Sequence, residues 1–574
     1  MDIVVDKFSG MIPLLDDQLL PKGNAVEALN SSLYGGNLTG FKADQEIRSL
    51  TNVNAKKIFR IPLDIYAKPS ATFSNSVWME FEDPDTDILK SPVALDTFER
   101  YYWFSPSTGP RYNTMARISA GQSSYKLGIP QPLTPPDVDP SVTASEVAVT
   151  RAYLYTFVSA YGEEGPPSAA VIATGKQDSV WTITVAGATV DQAAERNLER
   201  IRIYRTITSA AGVATYFFVD EILINETVYV DTLEDTIVSA QGQFTASTYV
   251  GPVADLQGAV SMPNGVIAAW KGQDIFFCQP YLPHAWPAAY GLTVSAPIVG
   301  LAVYGQTLVI MTTSQPHQAT GINPAVMALS KIDTIEPCLS RASIVTAPEG
   351  VYYAGPNGLV RWSPGKVQNI TSDLVERIDW QKIVDPWTLR ATRYGTAYMA
   401  VNAPRDEPGR GVVIDPNNAN ASYSYLEDDR EIQTFTLDIW TNETFVVYGG
   451  KVWRIDPTNV DNINPYKWTS QMFMVPFPRA LSVVQVDFLV PDGTAALNGT
   501  VNVNLEQELA SDQYGLIRVW GDGNHLVTHE IRDRNRVMRI PAGQKYREWQ
   551  FQVEARVIVQ RVEIATSPWE LRRE

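Results

Sequence analysis

Gly265-Val266-Ile267-Ala268-Ala269-Trp270-Lys271-Gly272-Gln273-Asp274-Ile275-Phe276-Phe277-Cys278 is the stretch on which the fold turns. Two apolar runs flank Gly272-Gln273, which reads as strand, tight turn, strand. The form returns in Gly305-Gln306-Thr307-Leu308-Val309-Ile310-Met311-Thr312 and in Gly350-Val351-Tyr352-Tyr353-Ala354-Gly355-Pro356-Asn357-Gly358-Leu359-Val360-Arg361-Trp362. Gly395-Thr396-Ala397-Tyr398-Met399-Ala400-Val401 repeats it, leading into Gly411-Val412-Val413-Ile414-Asp415. Thr444-Phe445-Val446-Val447-Tyr448-Gly449-Gly450-Lys451-Val452-Trp453-Arg454-Ile455-Asp456 is the last copy. A spacing of roughly 40–47 residues matches β-propeller blades, four-stranded antiparallel sheets that close in a ring. Residues 251–460 are expected to hold most of the blades and residues 51–128 the first, about five or six in all.

Outward from the repeat, strand signals continue in both directions, so the fold class is mainly β. Residues 51–128 alternate and are rich in Trp and Tyr, as in Val77-Trp78-Met79-Glu80-Phe81 and Tyr101-Tyr102-Trp103-Phe104. Residues 1–50 carry glycines and prolines that rule out a long helix, and they read as an extended arm suited to lying along another surface. Ile129-Pro130-Gln131-Pro132-Leu133-Thr134-Pro135-Pro136 is a stiff linker and a domain boundary. After it, residues 140–240 hold several short strands, the spacing of a β-sandwich. A sandwich inserted between two blades accounts for this order, because insertion at a loop tip is tolerated when the insert's ends lie together. Residues 465–574 form a last β-sandwich domain, with strands expected at 482–489, 499–506, 516–519, 547–553 and 561–564. Helix is expected only at 191–200 and at 372–380, where Ser372 would cap a turn before Leu374, Val375 and Ile378.

Composition narrows the function classes. The chain has 574 residues, 45% hydrophobic and 19% charged, a globular balance. At about 100–200 residues per domain, three or four domains are expected. The formal net charge of −17 argues against a basic nucleic-acid-binding surface. It leaves room for DNA as a non-specific passenger, since an acidic wall repels phosphate; solubility alone is the plainer reading of the same charge. Cys278 and Cys338 are the only two cysteines, each expected as a buried free thiol. The first twenty residues include acidic Asp2 and Asp6 and no long apolar run, and no stretch reaches the roughly 20 apolar residues of a membrane span. A soluble protein made in a cytoplasm is expected.

His525-Leu526-Val527-Thr528-His529 has the spacing of a zinc helix but lacks the Glu after its first His. It also lies in an expected strand, where the two rings stand too far apart for one ion. Asp83-Pro84-Asp85-Thr86-Asp87 begins like a calcium loop, yet Ile88 stands where Gly is needed and Ala94 where Glu is needed. Asp428, Asp429 and Glu431 could in principle serve as glycosidase acid and base, though a local acidic run more often makes a solvated turn. The Tyr101–Phe104 stripe suits a strand core better than a sugar groove. No nucleophile elbow, phosphate loop or dinucleotide fingerprint is present. No catalytic, cofactor-binding or metal-binding residue is therefore assigned, no cofactor is expected, and the chain is read as a non-enzyme.

Two resemblances add to this reading. The Tyr-rich strand running into Gly162-Glu163-Glu164-Gly165-Pro166-Pro167-Ser168 resembles a fibronectin type III domain. Four segments together resemble the nozzle (tail knob or tail tubular) proteins of short-tailed bacteriophages. They are the N-terminal pattern Leu20, Pro21, Gly23, Ala25, Ala28, Asn30, Leu33, Gly36 and Leu38, the propeller repeat, residues 466–488, and residues 542–571. The resemblance implies a structural virion protein of the phage tail, made in the host cytoplasm. It would form a ring of subunits, typically six, around the DNA channel below the portal and adaptor rings. Its implied partners are further copies of itself, tail adaptor or head–tail connector proteins, tail fibres or spikes, and genomic DNA in passage during ejection. The competing expectation is a carbohydrate-binding or glycan-cleaving receptor-binding propeller.

Overall fold

The structure is a computed structural model, and it describes residues 2–63, 73, 75–207, 215–402, 409–416, 423–428, 430–455, 462–490, 514–533, 536–541 and 543–572. Strand outweighs helix, 49% against 8%, so the chain is mainly β. It divides into two compact units, Asp85–Asp333 on one side and Met1–Pro84 with Thr334–Glu574 on the other.

Unit Asp85–Asp333 holds three four-stranded antiparallel sheets whose strands follow one another in chain order. The first is Asp87–Lys90, Arg100–Ser105, Gly109–Thr114 and Tyr125–Lys126; the second is Gln257–Met262, Val266–Lys271, Asp274–Phe277 and Leu292–Thr293. Ile298–Tyr304, Thr307–Thr312, His317–Thr320 and Ala328–Lys331 form the third. Strand Val266–Lys271 explains why its sequence is apolar up to the exposed Lys271. Ile267 and Ala269 face a core shared with Tyr102, Phe104 and Tyr112 of the first sheet. Val266 and Ala268, on the opposite pleat, face a core shared with Leu301, Leu308 and Ile310 of the third. A strand buried on both faces has no solvent side to be polar, and each large side chain so buried contributes about 1.5–3 kcal/mol.

The same unit also holds two sheets packed on one core as a sandwich. Ala148–Ser159 pairs with Val171–Lys176 and Leu198–Thr206, and the latter pairs with Tyr216–Leu223. Asp137–Pro140, Trp181–Thr184 and Val228–Asp231 make the smaller sheet. Its core is its own, built on Tyr153, Tyr155, Phe157, Trp181, Ile183, Ile201 and Ile203. Helix Val190–Arg196 falls where a helix was expected, with Thr189 and Gln192 forming a capping box.

Unit Met1–Pro84 with Thr334–Glu574 adds three more four-stranded meanders. Val345–Ala347, Gly350–Gly355, Gly358–Ser363 and Lys366–Asn369 make the fourth sheet, and Arg390–Tyr394, Ala397–Val401, Gly409–Ile414 and Tyr423–Asp428 the fifth. Phe435–Leu437, Thr444–Tyr448 and Lys451–Arg454 make the sixth, whose fourth strand is Gln45–Ser49. Gly449 and Gly450, both at positive φ (57° and 72°), give the two-residue turn that matches strand twist between Thr444–Tyr448 and Lys451–Arg454.

Three expectations are corrected. Residues 1–50, read as an extended arm, contribute short strands to the fold. Ile3–Val5 pairs with Ile558–Ala565, and Ala25–Leu29 lies antiparallel to Tyr466–Ser470 and parallel to Tyr423–Asp428. The burial of Ile3, Val5, Phe8, Met11, Ala25, Ala28 and Leu38 supplies the reason, because these apolar side chains have a core to enter. Residues 51–128 are not one blade: Lys57–Pro62 and Ser76–Phe81 pair only with each other among the described residues, whereas the four-stranded sheet spans 87–126. The second expected helix runs Arg377–Ile383 behind Glu376, and the Ser372 hydroxyl donates instead to the Asn369 carbonyl.

The C-terminal sandwich is thus made from both chain ends. One layer is Ile3–Val5, Ile558–Ala565, Val483–Leu489 and Val537–Arg539. The other continues the fifth sheet through Ala25–Leu29 into Tyr466–Ser470, Tyr546–Ala555, Gly515–Gly521 and Asn524–Ile531, with Phe473–Arg479 also on Tyr546–Ala555. Trp468, Ile517, Val519, Phe551 and Val553 share a core with Val484, Val486, Phe488, Val562 and Ile564. The strand expected at 499–506 lies outside the described residues.

Candidate functional site

The residues with catalytic or metal-binding chemistry are scattered. His525 and His529 do lie on a strand, Asn524–Ile531; the first ring contacts the Thr528 hydroxyl at 2.9 Å and the second the Arg539 carbonyl at 2.6 Å. Asp87 accepts the Ala259 amide at 3.1 Å, and Thr86 is buried. Glu431 is exposed; Asp429 and the Asp428 side chain lie outside the described residues. The Tyr101–Phe104 stripe is wholly buried, which takes it out of any sugar groove. Cys278 and Cys338 are free and buried, and burial pushes each thiol up to about 12. Among the described residues, no three His, Cys, Asp or Glu side chains gather closely enough to hold a metal ion.

A buried polar cluster went unseen in the sequence. It sits at the joint between the first sheet and the sandwich. Arg100 opens strand Arg100–Ser105; its Nε donates to Asp96 Oδ2 at 2.8 Å and its Nη1 to Glu163 Oε1 at 2.6 Å. Glu163 lies in the turn after strand Ala148–Ser159, where Gly162 takes a φ of 76° and the Ser159 hydroxyl donates to Glu163 Oε2 at 3.2 Å. His284 Nδ1 stands 3.9 Å from Glu163 Oε1. Burial works against the Arg100 charge, and Tyr102, Asp96 and Glu163 outweigh it, so the guanidinium is held above its ordinary value. Burial holds His284 below the usual histidine range and pushes Tyr102 and Tyr112 up.

Apolar and backbone contacts lock the same joint. Tyr161 packs on Phe98 at 4.5 Å and on Tyr112 at 6.2 Å. Leu127 is buried in the core of the first two sheets and Ile129, two residues on, in the core of the sandwich. Arg196 Nη1 holds the crossing by donating to the Leu127 and Gly128 carbonyls at 2.8 and 2.7 Å. The Pro-rich linker is likewise sealed to the sandwich, with the Tyr155 hydroxyl donating to the Thr134 carbonyl at 2.8 Å. The returning chain passes beside the outgoing one: Gly128 has φ 91°, and a Cβ there would stand 2.6 Å from the Gly251 Cα. Asp96 is held further by the Phe98 amide, which donates to its Oδ1 at 3.1 Å. Such a cluster holds two bodies in fixed orientation.

No protein-family model matches the chain, and no curated protein matches it. Among solved structures it is similar to the WD40 domain of Neurospora crassa Pan2, at 9% identity over 50% of this chain and 86% of that one, with a TM-score of 0.25. It is also similar to the dihydro-heme d1 dehydrogenase NirN in complex with DHE, at 10% identity over 69% of this chain and 75% of that one, also at 0.25. At those TM-scores neither likeness bears on fold or function.

Proposed function

We propose that the chain is a structural protein of a bacteriophage tail, a nozzle subunit whose copies form a ring around the DNA channel. The four-stranded meanders act as propeller blades, the last completed by the N-terminal strand Gln45–Ser49, with the fibronectin type III-like sandwich inserted between the first blade and the second. The adjacent crossings at Gly128 and Gly251 support the insertion, since a domain whose ends touch interrupts its host least.

The observation that carries the reading is the N-terminal pattern on which the phage resemblance rests. Its positions do defined physical work here. Ala25, Ala28 and Leu38 are buried, and Gly23 takes φ 91° with no room for a Cβ beside the Lys7 carbonyl. Asn30 takes φ 52°, a conformation that asparagine tolerates. The pattern thus specifies the strand that ties the fifth sheet to the C-terminal sandwich. A continuous sheet of this kind suits a subunit that must transmit load along a tail rather than turn over a substrate. The net −17 then serves passage, with phosphate repelled from the wall during ejection.

Labelling intact particles with an antibody raised against the purified chain tests the reading. The tail tip below the head is expected to be labelled, and the purified chain is expected not to bind duplex DNA at low salt. Labelling confined to the capsid, or hydrolysis of host glycans by the purified chain, contradicts it.

A further inference from the structure

We propose that strand Val228–Asp231 of the sandwich is a docking edge for an extended, cationic segment of a partner protein, which joins the smaller sheet as a further strand. The two sheets of the sandwich present four edge strands, and a bare edge invites pairing unless it is guarded. Three carry a guard. On Asp137–Pro140 the Ser141 amide donates to the Val180 carbonyl, so Val138 and Pro140 are the residues whose backbone faces outward, and Pro140 brings no N–H there. Val171–Lys176 ends in a cation whose backbone is already taken: the Lys176 amide donates to the Ser179 hydroxyl at 3.0 Å and its carbonyl accepts the Ser179 amide at 3.1 Å. Tyr216–Leu223 is covered by the chain that follows, the Phe218 amide donating to the Gly242 carbonyl and the Phe244 amide to the Tyr216 carbonyl, each at 2.9 Å.

The fourth edge is open. Val185 donates its amide to the Thr227 carbonyl at 2.8 Å. Bonded and non-bonded pairs alternate along an antiparallel ladder, so Tyr229 and Asp231 turn their backbone groups toward Trp181–Thr184, and Val228 and Val230 turn theirs away. Among the described residues nothing takes the amides and carbonyls of these two valines. Their side chains share the outer face of the sheet, 53% and 48% exposed. A residue placed opposite either valine exchanges both backbone bonds with it and lays its own side chain against it. Main-chain bonds of this kind give affinity to an added strand, and the alternate side chains give it specificity.

Charge selects the occupant. Between Arg205 and Lys271 the chain has no Lys, Arg or His, against seven Asp and Glu. Glu226, exposed just before the strand, accepts the Leu223 amide through Oε2 at 2.8 Å. Burial, and after it the Asp220 carboxylate, raise the Tyr229 hydroxyl, which places exposed Asp220 at the margin of the same strand. Neither Glu226 nor Asp220 forms an ion pair among the described residues. The same edge of a second copy would bring both acidic margins together, and like charges so placed repel. A segment that alternates apolar residues with Lys or Arg fits both features. Its apolar side chains lie on Val228 and Val230, and its cations, on the opposite pleat, lie on the side of Tyr229 and Asp220.

Fluorescence anisotropy with the full chain tests the edge, the probe being a labelled peptide Lys-Val-Lys-Val-Lys-Thr. It is expected to bind the wild type, less tightly as salt rises. The same peptide with both valines N-methylated lacks the donors that meet Val228 and Val230, and is expected to bind about thirtyfold more weakly. Val228→Pro removes one outward N–H and leaves the ladder to Trp181–Thr184 intact, and is expected to weaken the unmodified peptide about fivefold. Asp220→Asn with Glu226→Gln keeps the hydrogen-bond acceptors and is expected to remove most of the salt dependence. Circular dichroism of each variant should match the wild type, and the methylated peptide needs no variant at all. Equal binding of the methylated and unmodified peptides overturns the proposal, and so does the absence of binding at low salt. A dimer of the wild-type chain that Val228→Pro abolishes assigns the edge to a second copy and overturns it as well. None of these outcomes touches the ring reading.

Discussion

Arg100 Nη1 and Glu163 Oε1 meet at 2.6 Å across the joint between the first sheet and the sandwich, with both side chains more than nine-tenths buried. A charge pair so enclosed is costly to break from one side, because the remaining partner keeps its desolvation penalty without its counter-ion. Glu163→Ala is therefore expected to destabilise this unit by about 3 kcal/mol, the low end of the usual range because Asp96 remains on Arg100. Urea unfolding of the full chain, followed by limited proteolysis near residues 129 and 250, reads the effect. An unchanged midpoint with no new cleavage contradicts it.

His284 gives the joint a pH dependence. Burial holds its ring below the ordinary 6.5. Above 6.5 the ring is neutral in both folded and unfolded chains and contributes no slope. As pH falls below 6.5 the unfolded chain takes up a proton that the folded chain refuses, so stability declines. Asp96 adds a second loss at lower pH. Burial raises its carboxyl, but bonds from Arg100 and Ser91 outweigh that and hold it below 3.8, so its contribution is present above 3.8 and disappears as pH falls through the folded value. Thermal midpoints between pH 7 and pH 5 should fall in the wild type and fall less in His284→Gln. Equal slopes in the two proteins contradict the assignment.

The N-terminal strands are expected to be needed for stability. Gly23→Ala places a methyl group 2.3 Å from the Lys7 carbonyl oxygen at a φ of 91°. Substitution at such a site costs more than about 1 kcal/mol. Removal of residues 1–42 takes away two strands of the C-terminal sandwich and the T-shaped stack of Phe8 on Trp468 at 5.1 Å. Tryptophan fluorescence during denaturation should show the C-terminal sandwich opening first in both variants. A truncated chain as stable as the full one restores the reading of a docking arm.

The sandwich should fold without its host. Trp181, Ile183, Ile201 and Ile203 are fully buried within its own core, and Arg205 is paired there with Asp231 at 2.8 Å. A fragment of residues 129–246 is expected to unfold cooperatively, with dispersed amide resonances. A fragment with collapsed dispersion would make the sandwich dependent on the first two sheets.

These predictions differ in how far the sequence foretold them. The hairpins of the repeat were legible because their signals are local: an apolar run, a turn glycine, a second run. Strand Val266–Lys271 shows this well, since burial on both faces left nothing polar before its last residue, the exposed Lys271. The sandwich strands were legible for the same reason. Ile3–Val5 and Ala25–Leu29 were not, because their partners Ile558–Ala565 and Tyr466–Ser470 lie at the other end of the chain and short segments carry no record of distant pairing. The split of residues 51–128 into a hairpin and a separate sheet was hidden likewise, as alternation does not say which strands pair. Arg100 and Glu163 are unremarkable charged residues 63 positions apart, and only the fold makes them a joint.

Electron cryomicroscopy of the purified full chain tests the central claim most directly. The account predicts closed rings of identical subunits around an open channel, each subunit carrying its sandwich at the periphery. A monodisperse single subunit at every concentration and salt, with no ring, would contradict it.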